Sequence, residues 1–341
     1  MGHRRKLLFR AGTLSDALTG EVLRAWPDAA ERIIPDKYRV ELNLASGGAV
    51  VITEDEDGVW LEQGGRPDCL TAAPVQLPRF EGHPHAALLR ILHHELLVNV
   101  MPHGPVPNFF VYPKPWYRDA AMVAMCLERT GNVGLLRDWI LGLRDPFDHN
   151  NGGRSEPDNL GQALYLISLV ADASHPLVEA VLGAIGQFAQ GWHIMGITDG
   201  AEHPVYQTKW LKFGLRSLGQ EDPWEIPAVR DSYSSLFWWD FKEAHVPGPR
   251  FGENGDWQPV SGRIETGACP HFPYLNWAEA HFYGEPPPLH LLGTDYPLTW
   301  EAHASEAQYA GTAPLGPEYV ARRLCAPHTW HAAEAFLYLL G

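Results

Sequence analysis

Basic residues are scarce in this chain: 26 Lys and Arg stand against 41 Asp and Glu in 341 residues, a formal net charge of −15. Nucleic acid demands a basic face to neutralise phosphates, so it is excluded as the main partner. Cysteine is scarce too. Cys69, Cys126, Cys269 and Cys325 form no C-x-x-C spacing, which argues for a reduced, intracellular chain rather than a disulfide scaffold. Long hydrophobic runs are missing as well. No segment reaches the ~20 apolar residues that span a bilayer. The basic start MGHRRKLLFRAG carries only three apolar residues in a row, too few for a signal peptide. A cytoplasmic protein with no membrane partner is expected. The chain also lacks a Gly-rich phosphate loop, a G-x-S-x-G elbow and an Asp-rich terpene-cyclase motif.

What is abundant is aromatic and imidazole chemistry, with 13 Trp, 12 Tyr and 17 His. The chain is organised around PKPWYRDAAMVAMCL, residues 113–127. Trp116, Tyr117, Arg118 and Asp119 are followed by an unbroken apolar run, so the spacing predicts a helix buried on all sides with its chemistry at the N-terminal turn. Four unpaired N–H groups and the positive dipole end also sit there. The pattern recurs where Ser155-Glu156-Pro157-Asp158-Asn159 precedes LGQALYLISLVA, and where His328-Thr329-Trp330-His331 precedes AAEAFLYLL. Pro157 suits a first helical position.

Along the chain, residues 1–80 read as a small α/β subdomain: a helix at about 14–26, then the strands YRVELNL, AVVITE and GVWLEQ with Gly-Gly and Asp-Gly turns. Residues 81–341 read as helices, first the amphipathic HPHAALLRILHHELLVNVM and then at about 116–130, 134–144, 157–173, 176–190, 203–218, 227–243, 271–283, 317–324 and 327–340, joined by short loops except for the long irregular stretches 244–270 and 285–316. Asp119 and Asp158 are separated by about one helical hairpin. The expected fold is therefore mainly α, an (α/α)6-type toroid of helical hairpins with its polar helix ends sharing one mouth.

These motifs resemble those of the six-hairpin, (α/α)6-barrel glycosidases, glucoamylase-like members above all. Trp116-Tyr117-Arg118-Asp119 is similar to the family's Trp-x-Arg-Asp helix start, and Gly153-Arg154-Ser155-Glu156-Pro157-Asp158 to its Gly-Arg-Pro-x-x-Asp-Gly loop, with Asn159 in place of the last Gly. His328-Thr329-Trp330 resembles Leu-Thr-Trp, and Ser305-Glu306-Ala307-Gln308-Tyr309 the Ser-Glu-x-aromatic loop that carries the catalytic base. The family's Trp-Glu-Glu acid motif is absent. The resemblance implies hydrolysis of an α-linked oligosaccharide or small glycoside with inversion, without a cofactor or metal. It implies that Arg118 and Asp119 grip a sugar, with Trp116, Glu156, Asp158 and Trp330 beside them.

An inverting glycosidase needs a protonated carboxyl and an opposing carboxylate roughly 6.5–9.5 Å away. Glu306 is expected as base, with Glu301 as rival. Asp199 is expected as acid, with Glu202, Glu253 and Asp256 as rivals. Two alternatives use other chemistry: a sugar epimerase or polysaccharide lyase with His203, Tyr206 or His271 as base, and a carbohydrate-binding toroid without hydrolysis. Cys269 with His271 and Cys325 with His328 form two thiol–imidazole pairs whose ligand types suit zinc, though their spacing matches no strong zinc pattern.

Overall fold

The computed structural model describes residues 1–110, 112, 114–228, 300–301, 326–327 and 329–341. Strands fill the start of the chain. β1 (Leu7–Arg10), β2 (Thr13–Asp16) and β3 (Val22–Ala25) form a three-stranded antiparallel sheet. β4 (Ala30–Ile34), β5 (Arg39–Asn43), β6 (Ala49–Glu54), β7 (Gly58–Gln63) and β8 (Arg66–Ala72) form a five-stranded meander. Alternation of apolar residues sets its register: Val40 lies opposite Ile52, Leu42 opposite Val50, and Ile52 opposite Leu61. Leu42, Val50, Ile52, Val59 and Leu61 turn inward against Leu14 and Trp26. Gly47 and Gly48 take φ of 84° and 99° in the β5–β6 turn, a conformation that side chains with a Cβ rarely adopt.

The helix expected at 14–26 is not formed. Its residues supply β2, a tight turn and β3 instead. Asp16 explains the break: its Oδ1 accepts the N–H groups of Leu18 and Thr19, both at 2.8 Å, and Gly20 follows at φ 76°. Pairing with β1 and burial of Trp26 override a local helix preference.

The remaining α-helices are α1 (Ala86–Val98), α2 (Tyr117–Arg129), α3 (Arg137–Leu141), α4 (Asp158–Ser168), α5 (Pro176–Ala184), α6 (Pro204–Ser217) and α7 (Thr329–Leu340). Between them run two-stranded ribbons, β9 (Val100–Met101) with β10 (Gly104–Pro105), β11 (Ala189–Gln190) with β12 (His193–Ile194), and β13 (Ile197–Thr198) with β14 (Ala201–Glu202). A further ribbon pairs β15 (Trp300–Glu301) with β16 (Ala326–Pro327). As the apolar runs demand, α2 is buried from Tyr117 through Leu127 and α4 from Asp158 through Ile167. α7 packs against α1 and α2, α2 against α4, and α4 against α6. The last contact is backbone to backbone, because a Cβ on Gly161 would overlap the Trp210 carbonyl.

The mainly α, (α/α)6-type toroid is therefore corrected, and with it the resemblance to six-hairpin glucoamylase-like enzymes. A five-stranded sheet, a three-stranded sheet and several ribbons accompany only seven α-helices among the described residues. An all-apolar helix body requires cover on every side but does not specify what covers it. Here part of the cover comes from Met1, Tyr38, Val75 and Ile194, outside any helix and in the same core as α1, α2, α4, α6 and α7. Glu54 on β6 ties the sheet down, accepting from the Met1 ammonium at 2.8 Å and Arg4 Nη1 at 3.0 Å and meeting His94 Nε2 on α1 at 3.1 Å. Among the described residues no helix is long and apolar enough to cross a membrane.

The helices expected near 227–243, 271–283 and 317–324 lie outside the described residues, as do Glu253, Asp256, Cys269, His271, Glu306, Cys325 and His328. Glu301 is described through its backbone, in β15.

Candidate functional site

The polar turn of α2 begins after an extended Trp116, and Tyr117 N–H donates to Asp148 Oδ2 at 2.7 Å. That carboxylate caps α2 from another segment, since Trp116 has no side-chain acceptor to offer. Arg118 then points across to α4. Its Nη1 lies 3.1 Å from Asp158 Oδ2 and 3.5 Å from Glu156 Oε2. Two indoles flank its guanidinium, with the Trp116 and Trp330 ring centroids 5.6 and 5.9 Å away, within the range where a cation is drawn to an aromatic face.

Asp158 is held by three donors, Arg118, Gln162 Nε2 at 2.9 Å and, on Oδ1, Thr198 Oγ1 at 2.9 Å. Gln207 on α6 fixes Thr198 in turn, donating to its Oγ1 at 2.9 Å and bridging the Gly196 backbone. Glu156 Oε1 accepts from Asp199 N–H at 2.6 Å and from Asn151 Nδ2 at 2.9 Å. Its Oε2 accepts no hydrogen bond among the described residues and faces Arg118. On the α7 side, Asp119 Oδ1 accepts from Thr329 Oγ1 at 3.3 Å, and the backbone N–H of Trp330 also donates to that carboxyl.

Arg118, Asp119, Glu156 and Asp158 are each at most 4% exposed. One guanidinium is thus surrounded by several carboxyl groups shut away from water. Burial pushes Asp119 up to about 7, against the pull of Arg118 and the Thr329 hydroxyl. Burial also raises Glu156, with Asp158 adding to the rise while Arg118 opposes it. Asp148 is raised by burial as well, against the N–H groups it accepts. Carboxyl groups that retain protons towards neutral pH are the kind that serve as general acids.

Six residues anticipated for this site converge: Trp116, Arg118, Asp119, Glu156, Asp158 and Trp330. Asp199 is placed differently. It is exposed in the β13–β14 turn at φ 50°, and its backbone N–H reaches Glu156. Glu202 is half-buried on β14. Of the alternative bases, His203 is buried, and Tyr206 is fully buried with its phenol raised well above the usual range by burial and Asp158. A phenol so disposed is a poor base. The residues that sequence reading passed over are Asp148, Asn151, Gln162, Thr198 and Gln207. Gln162 had a local signal, four residues after Asp158 on one helix face. Thr198 and Gln207 reach the cluster only through tertiary placement. Among the described residues no group of His, Cys, Asp and Glu could hold a metal ion. Comparison with known protein families, with curated proteins and with solved structures finds no match for this chain.

Proposed function

We propose that the cluster around Arg118 binds a saccharide and that the protein hydrolyses a glycosidic bond in an α-linked oligosaccharide or small glycoside. The observation that carries this reading is the guanidinium of Arg118, paired with Glu156 and Asp158 and flanked by two indoles where α2, α4 and α7 begin. Aromatic faces suit the apolar faces of a sugar ring, and buried charged hydrogen-bonding groups suit its hydroxyls. Glu156 takes the acid role here in preference to the exposed Asp199. Burial shifts its carboxyl upward, the direction that a general acid needs. The expected base is Glu306, outside the described residues, which would activate water for inversion. A cytoplasmic location belongs to the same proposal and is supported by the exposed free thiol of Cys69.

The mutual pairing of Arg118, Glu156 and Asp158 favours a second reading, saccharide binding without hydrolysis. One experiment separates the two. Wild type and Glu156→Gln are incubated with malto-oligosaccharides and nitrophenyl α-glycosides, new reducing ends are counted, and melting temperature is followed with saccharide concentration. Hydrolysis that falls at least about 100-fold in the variant, with the thermal shift kept, supports the hydrolase. A thermal shift with no reducing ends from the wild type supports binding alone. No shift and no product with any saccharide removes the carbohydrate reading.

A further inference from the structure

A cavity of about 540 Å³ lies between β1, the inner face of β4–β7, α1 and the turn at 108–110. It shares no lining residue with the Arg118 cluster. Its size falls within the roughly 300–1,000 Å³ of small-molecule pockets. Most of its wall is apolar: Leu8 and Phe9 from β1, Val40 from β5, Ile91 and Val98 from α1, and Phe110. Ile33, 55% exposed on the edge strand β4, belongs to the same lining.

The polar part of the lining is unevenly charged. Glu54 is saturated, since the Met1 ammonium, Arg4 and His94 all lie on its two oxygens. Arg5 is paired with Asp16 and Glu21, and Arg39 with Glu41. Lys6 differs from them. It is 5% exposed, and its Nζ donates to the carbonyls of Gly2 and Val100, the latter at 2.9 Å. An ammonium carries three N–H groups, so one remains, and Lys6 makes no ion pair among the described residues. Burial lowers its pKa to about 7, against the attraction of Glu54. A cation in the lining of an apolar cavity that is attracted to Glu54 but forms no ion pair with it is an incomplete pair that a ligand anion would complete.

We propose that this cavity is a binding site for a monocarboxylate with an apolar tail, of the medium-chain fatty-acid class. The carboxylate sits at Lys6 Nζ, and the tail lies along Phe9, Val40, Ile91 and Val98. The arrangement favours the acid over the matching alcohol, which cannot form the ion pair, and over a cationic amphiphile, which Lys6 repels.

Calorimetric titration of the full chain with decanoate, decanol and decyltrimethylammonium tests this, using wild type, Lys6→Met and Val40→Trp, with folding of each variant checked by circular dichroism. Decanoate should bind the wild type one to one and at least tenfold tighter than decanol. Lys6→Met should bring the acid and alcohol to similar affinities, and Val40→Trp, which fills the cavity, should remove both. If Lys6→Met fails to fold, the wild-type ranking of the three probes decides between the same two outcomes. No saturable decanoate binding below its micelle concentration overturns the proposal. So does equal binding of acid and alcohol by the wild type, or decanoate binding that survives Val40→Trp in a folded protein.

Discussion

Arg118 on α2 and Asp158 on α4 stand 40 residues apart in sequence and meet at 3.1 Å where neither side chain reaches water. Such a pair contributes little net stability over an apolar pair of the same shape, yet breaking one half of it is costly. Arg118→Met leaves Glu156 and Asp158 buried without a cation. The expected loss is about 3–5 kcal/mol of unfolding free energy, read from urea denaturation. A loss below about 1 kcal/mol would mean that these carboxyl groups are not buried together in solution.

Asp119 gives a pH signature. Its folded pKa of about 7 lies above its ordinary value of 3.8, so the folded state binds the extra proton. The associated stability is fully present below about pH 4 and is lost as pH rises towards 7. Asp119→Asn carries no such proton and should lose less stability across that window. Denaturation midpoints measured at intervals from pH 4 to 7 provide the comparison, and parallel curves for the two proteins would refute the assignment.

Glu54 behaves in the opposite sense. Bonds from His94 and the Met1 ammonium hold its carboxyl well below the usual range despite burial. Its contribution is present above the ordinary glutamate value and fades as pH falls towards the folded one. Glu54→Gln should therefore be less stable than wild type at pH 7 and approach it under acid conditions. A difference that persists undiminished at low pH would point to packing rather than charge.

Gly161 tests the close contact of α4 with α6. A methyl group there meets the Trp210 backbone, which cannot rotate aside. Gly161→Ala should lower stability by about 1–3 kcal/mol, although alanine is the better helix former. A variant as stable as wild type would mean that the two helices lie further apart.

Much of this architecture was legible locally. Alternation in Val40–Leu42, Val50–Ile52 and Val59–Leu61 marked three strands, and the apolar run after Asp119 marked a wholly buried helix. The turn at Asp16–Gly20 was not legible, because a helix-period pattern at 14–26 concealed a carboxylate that binds its own backbone. The larger error concerned assembly. Buried helices with polar N-terminal turns fit a ring of hairpins, but the same surface requirement is met by strands and ribbons. In the site, the residues at helix starts were visible as motifs. Thr198, Gln207 and Asp148 were not, because each acts across a fold-dependent gap on a partner it does not neighbour in sequence.

The seat of α7 between α1 and α2 has a consequence for biosynthesis. Asp119 leaves the ribosome 210 residues before Thr329, which at ~5–20 residues per second is roughly 10–40 s. Throughout that interval Cys126, whose thiol later meets the Ala333 carbonyl, and the rest of the α2 face lack their cover. The nascent chain therefore exposes this later-buried face of α2 until α7 has been made, a natural opening for a chaperone that binds greasy segments.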